Sequence, residues 1–469
     1  MEGIKKVYLL GVGGVGMGAL AGLLKEAGYE VSGVEGGPVY PPMSELLQEL
    51  KIQVLTGYHR ENIEKVAPDL AIVGNVIRKD NPEAEALFAK ALPYLSLPEA
   101  LYGFFIKGRK SLVVSGTHGK TTTSALLAYA LERLGQDPTF FLGGLLTDRK
   151  RNYGLGSGPF VVLEGDEYDS AFFDKRPKFV HYAPSAVILT SIEFDHADIY
   201  PSLQELKEAF RDLVALLPEE GHLVYWADSE AVKEVAREFK GHKLGYGFAG
   251  ELKLLSRVPA RERPGQHVHF SLAGQEFDFY IPLMGEHNAL NALAVFALLM
   301  ALGFSPARIK EAFKDFCGTK RRQEILALSP VVIIDDFAHH PTAVKVTLKA
   351  VRETWPERRL LAAFEPRTNT SRRKIFQEDY VKALAEADVI FLKPPPDLDK
   401  IPQAERLNLA ALAEKLRKLG RKAYLCQEKE ELKDRILKEL GPGEILIFLS
   451  NGPFDYLPRD IAEYFGGHK

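Results

Sequence analysis

Ser115-Gly116-Thr117-His118-Gly119-Lys120-Thr121-Thr122-Thr123 decides how this chain is read. The apolar run Ser-Leu-Val-Val at 111–114 precedes it and predicts a short buried strand. Residues 124–131 follow with the pattern of a helix. Strand, glycine turn, Lys-Thr and helix are the layout of a phosphate-binding loop. Glycine lets backbone N–H groups approach phosphate, and the helix N-terminus favours its negative charge. Lysine reaches the β- and γ-phosphates, and a hydroxyl can ligate Mg2+. Only Thr117 and His118 separate the two glycines, a shorter spacer than the general pattern has. A Gly-rich turn with no ligand is the plain alternative, but it gives no packing reason for Gly-Lys-Thr-Thr. ATP binding is the expectation, with Gly116, Thr117, His118, Gly119, Lys120, Thr121 and Thr122 as the cradle.

Working outward, 469 residues exceed one hydrophobic core, and about three domains are expected. Hydrophobic content of 46% and charged content of 26% are those of an ordinary globular protein. A net charge of −3 gives no polyanion signal, so no nucleic-acid partner is expected. No stretch reaches the about 18–20 apolar residues a membrane span needs, and no membrane partner is expected. Cys317 and Cys426 have no metal-ligand spacing, which points to a reducing compartment, by default the cytoplasm.

Towards the N-terminus, residues 7–10 form an apolar strand, and Gly11-Val12-Gly13-Gly14-Val15-Gly16 opens a helix to about Ala27. Lys5 and Lys6 before an apolar run mimic a signal peptide, but the glycines and Lys25-Glu26 favour strand–turn–helix. A second strand ends at Glu35, where a dinucleotide fold holds a ribose, and a third at 70–73 precedes Asn75. The glycine pattern alone leaves NAD, FAD, another nucleotide or no ligand open. Residues 98–110 read as a link.

Towards the C-terminus, the strand at 160–163 ends in Glu164-Gly165-Asp166-Glu167, which places an expected Mg2+ ligand at a strand end beside the loop. The strand at 186–190 runs into Asp195, His196 and Asp198. Residues 203–217 form an amphipathic helix, and 221–280 read as a small β-rich subsection without chemistry. Asn288 and Asn291 share a helical face and suit either a base edge or caps. Residues 318–322, with Arg321 and Arg322, read as a second link. Strands at 331–334, 360–364, 389–392 and 445–449 alternate with helices and predict a further doubly wound unit. The expected architecture is α/β in three domains. A Rossmann-like domain at 1–107 comes first, then a P-loop ATPase-type domain at 108–322 and a doubly wound α/β domain at 323–469.

With these residues laid out, the chain resembles the Mur ligases, three-domain ATP-dependent enzymes that build peptidoglycan precursors. The resemblance spans nearly the whole length. It rests on Gly116-Thr117-His118-Gly119-Lys120-Thr121-Thr122, Glu164-x-Asp-Glu, Asp195-His196-x-Asp198, His287-Asn288-x-x-Asn291, Arg321-Arg322 and Asp336-x-x-His339-His340-Pro341. The glycine-rich front is similar to members acting on UDP-N-acetylmuramate, so Gly11, Gly13, Gly14, Gly16, Glu35 and Asn75 are expected to hold a UDP-sugar. Two members share that substrate. One adds L-alanine, and the other adds the recycled tripeptide L-Ala-γ-D-Glu-meso-diaminopimelate. Residues 40–44, 166–176, 178–182, 364–367 and 450–454 look like the tripeptide enzyme, although Pro453 stands where it usually has glycine. Gly14-Val15-Gly16 looks more like the L-alanine enzyme. The tripeptide is the favoured amine because more segments agree. Phe210 falls near where many members carry a carbamylated lysine, so no carbamate is expected.

The resemblance also implies roles. The carboxylate of UDP-N-acetylmuramate is activated by ATP as an acyl phosphate, which the incoming amine attacks. Lys120, Glu164, His196, Arg322 and His339 are the expected catalytic residues. Thr121, Glu164 and His196 are the expected Mg2+ ligands. Asn288 and Asn291 would hold adenine, Asp336 ribose, and Arg322 and His339 the γ-phosphate. Arg367 and Arg372 suit the peptide's carboxylates, because arginine forks match carboxylates. A monomer or homodimer is expected, with hinges near 103–110 and 318–323. An NAD-dependent oxidoreductase or a non-catalytic nucleotide-binding protein are the readings from other classes. A folate polyglutamylating ligase would lack the glycine-rich front.

Overall fold

The fold is seen in a computed structural model that describes residues 1, 3–193, 200–368, 371–396, 398 and 401–466. Three large sheets follow one another along the described residues, besides a two-stranded hairpin. The first is wholly parallel, in the order Gln53–Thr56, Glu30–Glu35, Lys6–Leu10, Leu70–Val73 and Tyr94–Ser96. Successive side chains of a strand point to opposite faces. Val7 and Leu9 accordingly enter one core, while Tyr8 and Leu10 enter another across the sheet. Near-continuous apolar strands such as Leu-Ala-Ile-Val at Leu70–Val73 are what a sheet covered on both faces requires.

The second sheet has ten strands. Its parallel centre runs His242–Gly247, His222–Trp226, Pro184–Leu189, Lys110–Ser115, Phe160–Gly165 and Thr139–Phe141. Leu252–Pro259, Gln266–Leu272 and Gln275–Ile281 extend one edge. The region 221–280 is therefore part of this sheet and not a separate subsection, and it also contains a helix, Glu230–Arg237. That helix has the signature Ser229 cap, whose hydroxyl accepts the N–H of Val232. The third sheet orders Glu324–Ala327, Val332–Asp336, Ile445–Leu449, Leu360–Phe364, Val389–Leu392 and Lys422–Leu425, antiparallel only at its first edge.

The expected link at 98–110 is a correction. Leu97–Leu101 is a helix, and Tyr102–Ile106 continues it as a π-helical turn. Ser96 and Glu99 form a capping box at its start. Leu97, Leu101, Phe105 and Ile106 are buried in one core that runs unbroken from the first sheet to Val113, Val161 and Leu163 of the second. A second bond between these sheets comes from the hairpin Asp169–Ala171 and Asp174–Pro177. Its Phe172 and Phe173 meet Phe88 and Tyr94 edge to face, at 5.8 and 5.1 Å. No helix among the described residues is long and apolar enough to cross a membrane.

Helix Val15–Glu26 also meets the second sheet, at Gly22. A Cβ on Gly22 would lie 2.2 Å from Cζ of the buried Tyr153. Alanine normally favours a helix interior over glycine by about 1 kcal/mol. Here overpacking, typically about 1–3 kcal/mol, outweighs that gain. Gly22→Ala is expected to lower the thermal unfolding midpoint, and an unchanged or higher midpoint would contradict this contact.

Candidate active site

The phosphate-type loop leaves the strand Lys110–Ser115 and enters the helix Lys120–Arg133. Gly116 has φ +132° and Gly119 φ +84°. A Cβ on Gly116 would lie 2.3 Å from Thr190 Oγ1, and one on Gly119 2.7 Å from Asn291 Oδ1, so neither position admits a side chain. The loop is tied to the next strand end. His118 N–H donates to Ser191 Oγ, and Thr190 Oγ1 donates to the His118 carbonyl. Thr117 Oγ1 accepts the N–H of Glu193 at 3.0 Å. Thr122 is buried in the first turn of the helix.

Lys120 turns back over this loop. Its ammonium donates to the Gly116 carbonyl at 2.7 Å and lies 2.9 Å from Glu167, whose side chain is 1% exposed. Burial opposes the lysine's charge, but Glu167, Asp166 and Glu164 together raise its pKa. Thr121 Oγ1 donates to Glu164 Oε1 at 2.9 Å, and Gly143 N–H donates to Glu164 Oε2 at 2.7 Å. Burial, then Asp166, raises the Glu164 pKa. A hydroxyl and a carboxylate held side by side at a phosphate loop are the hard oxygen donors Mg2+ takes alongside substrate phosphates. The donor set fits that ion, and the glycine approaches fit a polyphosphate. His196, with Asp195 and Asp198, lies outside the described residues.

Asn288 and Asn291 are buried on helix Glu286–Ala301. Asn291 donates to Asn288 Oδ1 at 3.2 Å, and Asn288 donates to Gln323 Oε1 at 3.1 Å. Gln323 was not expected as a site residue. It also donates its N–H to Asp336 Oδ2, while Asp336 Oδ1 accepts the N–H of Ala338, both at 2.7 Å. Asp336 thus holds the turn at Gln323 to the carboxyl end of the strand Val332–Asp336. Arg322 bridges the second and third sheets from that turn. Its guanidinium stacks 4.7 Å from the Phe337 ring and reaches within 3.5 Å of Thr121 Oγ1. The His118 ring meets that of His340 at 5.3 Å, tilted by 38°, and lies 3.4 Å from Glu193, which accepts from Thr342 Oγ1. The His339 ring contacts the Phe337 carbonyl at 3.0 Å through Nδ1. The second and third sheets therefore meet at the phosphate-type loop.

A second polar cluster lies at the carboxyl ends of the third sheet's strands. Glu365 is fully buried and accepts from Arg367 Nε at 2.6 Å, Lys393 at 2.7 Å and Ser450 Oγ at 3.2 Å. Asp455 faces Lys393 at 2.9 Å and Arg367 at 3.6 Å. Lys393 and Asp455 were missed by sequence reading. Lys393 directly follows the strand Val389–Leu392, so the rule that located Glu164 would have found it. Arg372 is buried with Nε donating to the Thr368 carbonyl at 3.3 Å, so that edge of its fork serves the backbone.

In the first sheet, Gly11 has φ +78° and precedes helix Val15–Glu26, which Gly14 caps. Glu35 accepts Gly13 N–H at 2.9 Å and the Tyr58 hydroxyl at 3.1 Å, so it braces the glycine turn itself. A Cβ on Gly16 would lie 3.7 Å from Phe141, which puts this turn against the second sheet. Asn75 is exposed beyond Leu70–Val73.

Residues 6–107 match the family described as "Mur ligase family, catalytic domain", 114–299 the "Mur ligase middle domain", and 321–452 the "Mur ligase, glutamate ligase domain". A UDP-N-acetylmuramate–L-alanyl-γ-D-glutamyl-meso-2,6-diaminoheptandioate ligase of Escherichia coli K12 is 35% identical over 475 residues, covering 98% of each chain. The chain belongs to the Mur ligase family. Members of this family are ATP-dependent ligases, and the chain is an enzyme of that class. A UDP-N-acetylmuramate–L-alanine ligase of Carboxydothermus hydrogenoformans is 32% identical over 453 residues, covering 95% of this chain and 94% of its own. Among solved structures, a UDP-N-acetylmuramate–alanine ligase from Thermotoga maritima superposes with a TM-score of 0.81. It is 27% identical and covers 98% of this chain and 99% of its own.

Two outcomes check this geometry. Lys120→Met takes the cation from buried Glu167, and breaking such pairs typically costs about 3–5 kcal/mol. Denaturant unfolding is expected to show that loss and to recover much of it in Lys120→Met/Glu167→Gln. A double variant no more stable than the single would contradict the pairing. Burial, then Arg257, pushes the His287 pKa from 6.5 down to about 4. The unfolded chain binds this proton more readily, so the contribution is full above pH 6.5 and is lost as pH falls towards 4. Unfolding at pH 7 and at pH 4.5 is expected to differ less in His287→Gln than in the wild type. An equal difference would place that pH dependence elsewhere.

Proposed function

We propose that this enzyme joins the carboxylate of UDP-N-acetylmuramate to the amine of L-Ala-γ-D-Glu-meso-diaminopimelate at the expense of ATP. The observation that carries this choice of amine is the 35% identity, over 98% of both chains, to the Escherichia coli ligase named for that peptide. The cationic pair Arg367 and Lys393, beside Asp455, adds support, because a tripeptide offers several carboxylates and a further ammonium where L-alanine offers one carboxylate. An L-alanine ligase is the second reading, favoured by the TM-score of 0.81 to a protein of that name.

In this proposal residues 1–107 receive the UDP-sugar, with Gly11, Gly13, Gly14, Gly16, Glu35 and Asn75 around its pyrophosphate and sugar. Residues 108–322 hold ATP, and 323–469 hold the peptide. The muramyl carboxylate oxygen attacks the γ-phosphorus and ADP leaves. The peptide amine then attacks the acyl carbon, loses a proton, and inorganic phosphate departs. Charge builds first on phosphoryl oxygens and then on a tetrahedral carbon, so positioned cations are the main requirement. Lys120 would leave Glu167 to meet the β- and γ-phosphates, with Arg322 and His339 approaching from the third sheet. Thr121 and Glu164 would hold one Mg2+, which neutralises phosphate charge, and His196 would contribute to a second. Asn288 and Asn291 would turn from each other and Gln323 to adenine, and Asp336 would take the ribose. Arg367 and Arg372 are assigned to the peptide's carboxylates.

Phosphate release from ATP, with Mg2+ and UDP-N-acetylmuramate present, tests the choice. The tripeptide is expected to support release and L-alanine to support little. The reverse preference would establish the second reading.

A further inference from the structure

Arg321 and Arg322 are neighbours in sequence whose side chains serve opposite ends of the site. Arg322 reaches the phosphate-type loop at Thr121. Arg321 turns the other way. Its guanidinium donates to the carbonyls of Ser450, Asn451 and Gly452, and its Nε lies 3.3 Å from Asp335. Both guanidinium groups lie over the ring of Phe337, at 5.3 and 4.7 Å. Phe337 N–H in turn donates to the Arg321 carbonyl at 2.7 Å. Arg321 at φ +59° and Gln323 at φ +52° place Arg322 between two left-handed residues, and this alternation aims the two arginines apart.

The segment that Arg321 grips is itself under constraint. Phe454, Asp455 and Tyr456 are consecutive non-glycine residues at φ +51°, +53° and +62°. Such backbone persists only where its surroundings over-determine it, and it gathers at ligand sites. Ser450 Oγ is fixed on Glu365, and a Cβ on Gly452 would lie 2.1 Å from Arg367 Cδ. Asp455, at the end of this segment, is the carboxylate that faces Lys393 and Arg367. A planar fork can meet three carbonyls at once, which a lysine ammonium on its flexible stem does not reproduce.

We infer that Arg321 is a positioning residue that couples the nucleotide end of the site to the amine end, by tying the turn that carries Arg322 to the 450–456 segment that carries Asp455. Engagement of Arg322 by the nucleotide fixes the turn, the turn fixes Arg321, and Arg321 fixes the segment. Nucleotide and amine then favour each other's binding, and the coupling is the same in both directions. This rests on the proposed ligase reading, but not on which amine is the substrate.

Calorimetric titration of the tripeptide into the full-length enzyme tests it, with UDP-N-acetylmuramate and Mg2+, with and without a non-hydrolysable ATP analogue. If the tripeptide does not bind the wild type, L-alanine replaces it. That outcome overturns the choice of amine, and Arg321 is judged with the amine that binds. The analogue is expected to tighten amine binding about tenfold in the wild type. In Arg321→Lys the factor should fall to about one, with the analogue's own affinity kept within about twofold. The KM for the amine should rise while the KM for ATP holds. Asp335→Asn, which keeps the guanidinium and removes its orienting carboxylate, should give an intermediate factor and serves if Arg321→Lys fails to fold. No coupling in the wild type, or full coupling in Arg321→Lys or in Asp335→Asn, would overturn the inference.

Discussion

A lysine ammonium buried against a carboxylate sets the terms for everything around it. Lys120 and Glu167 lie 2.9 Å apart with side chains 9% and 1% exposed. Taking both charges out of water is tolerable only because each is answered at short range. The lysine turns back onto the Gly116 carbonyl, and Thr190 and Asn291 close on the loop so that neither Gly116 nor Gly119 has room for a Cβ. The arrangement also requires neighbouring strands to end at one level, so that Thr121, Glu164, Thr190 and Ser191 share one shelf. A parallel sheet supplies such a shelf, because all its strands present their carboxyl ends on the same side. The candidate active site is a consequence of that alignment.

The shelf was largely legible in the sequence because buried parallel strands are near-continuous apolar runs, and the residue after each run is then conspicuous. Glu164 and Asp336 were found in this way. Lys393 ends the run Val389–Leu392 in the same manner and was passed over, being a cation followed by prolines. Helix Leu97–Leu101 carries the capping signature Ser96-x-x-Glu99, but Gly103 and Gly108 give the stretch the composition of a link. Strands of 221–280 read as a separate piece because pairing partners distant in sequence leave no local trace. The opposed directions of Arg321 and Arg322 depend on two positive φ values that no residue type announces.

Glu35 and Asp336 show two carboxylates in similar positions given over to the same local task. Each is the last residue of a strand, where a nucleotide ribose is the usual guess. Glu35 instead closes on Gly13 and Tyr58, and Asp336 on the N–H groups of Gln323 and Ala338. Each carboxylate shapes a turn with its own oxygens, so ligand contact at either place must compete with backbone amides.

The aromatic contact of Phe172 and Phe173 with Phe88 and Tyr94 bears on how these proteins are recombined. The hairpin at 169–177 belongs by sequence to the middle domain, yet its tip is upholstery for the first sheet. The two sheets also share one core through residues 97–106. A hybrid made by exchanging residues 1–107 between relatives would therefore carry a mismatched seam unless the hairpin travelled with them. The unit of inheritance on this side of the molecule is a discontinuous one.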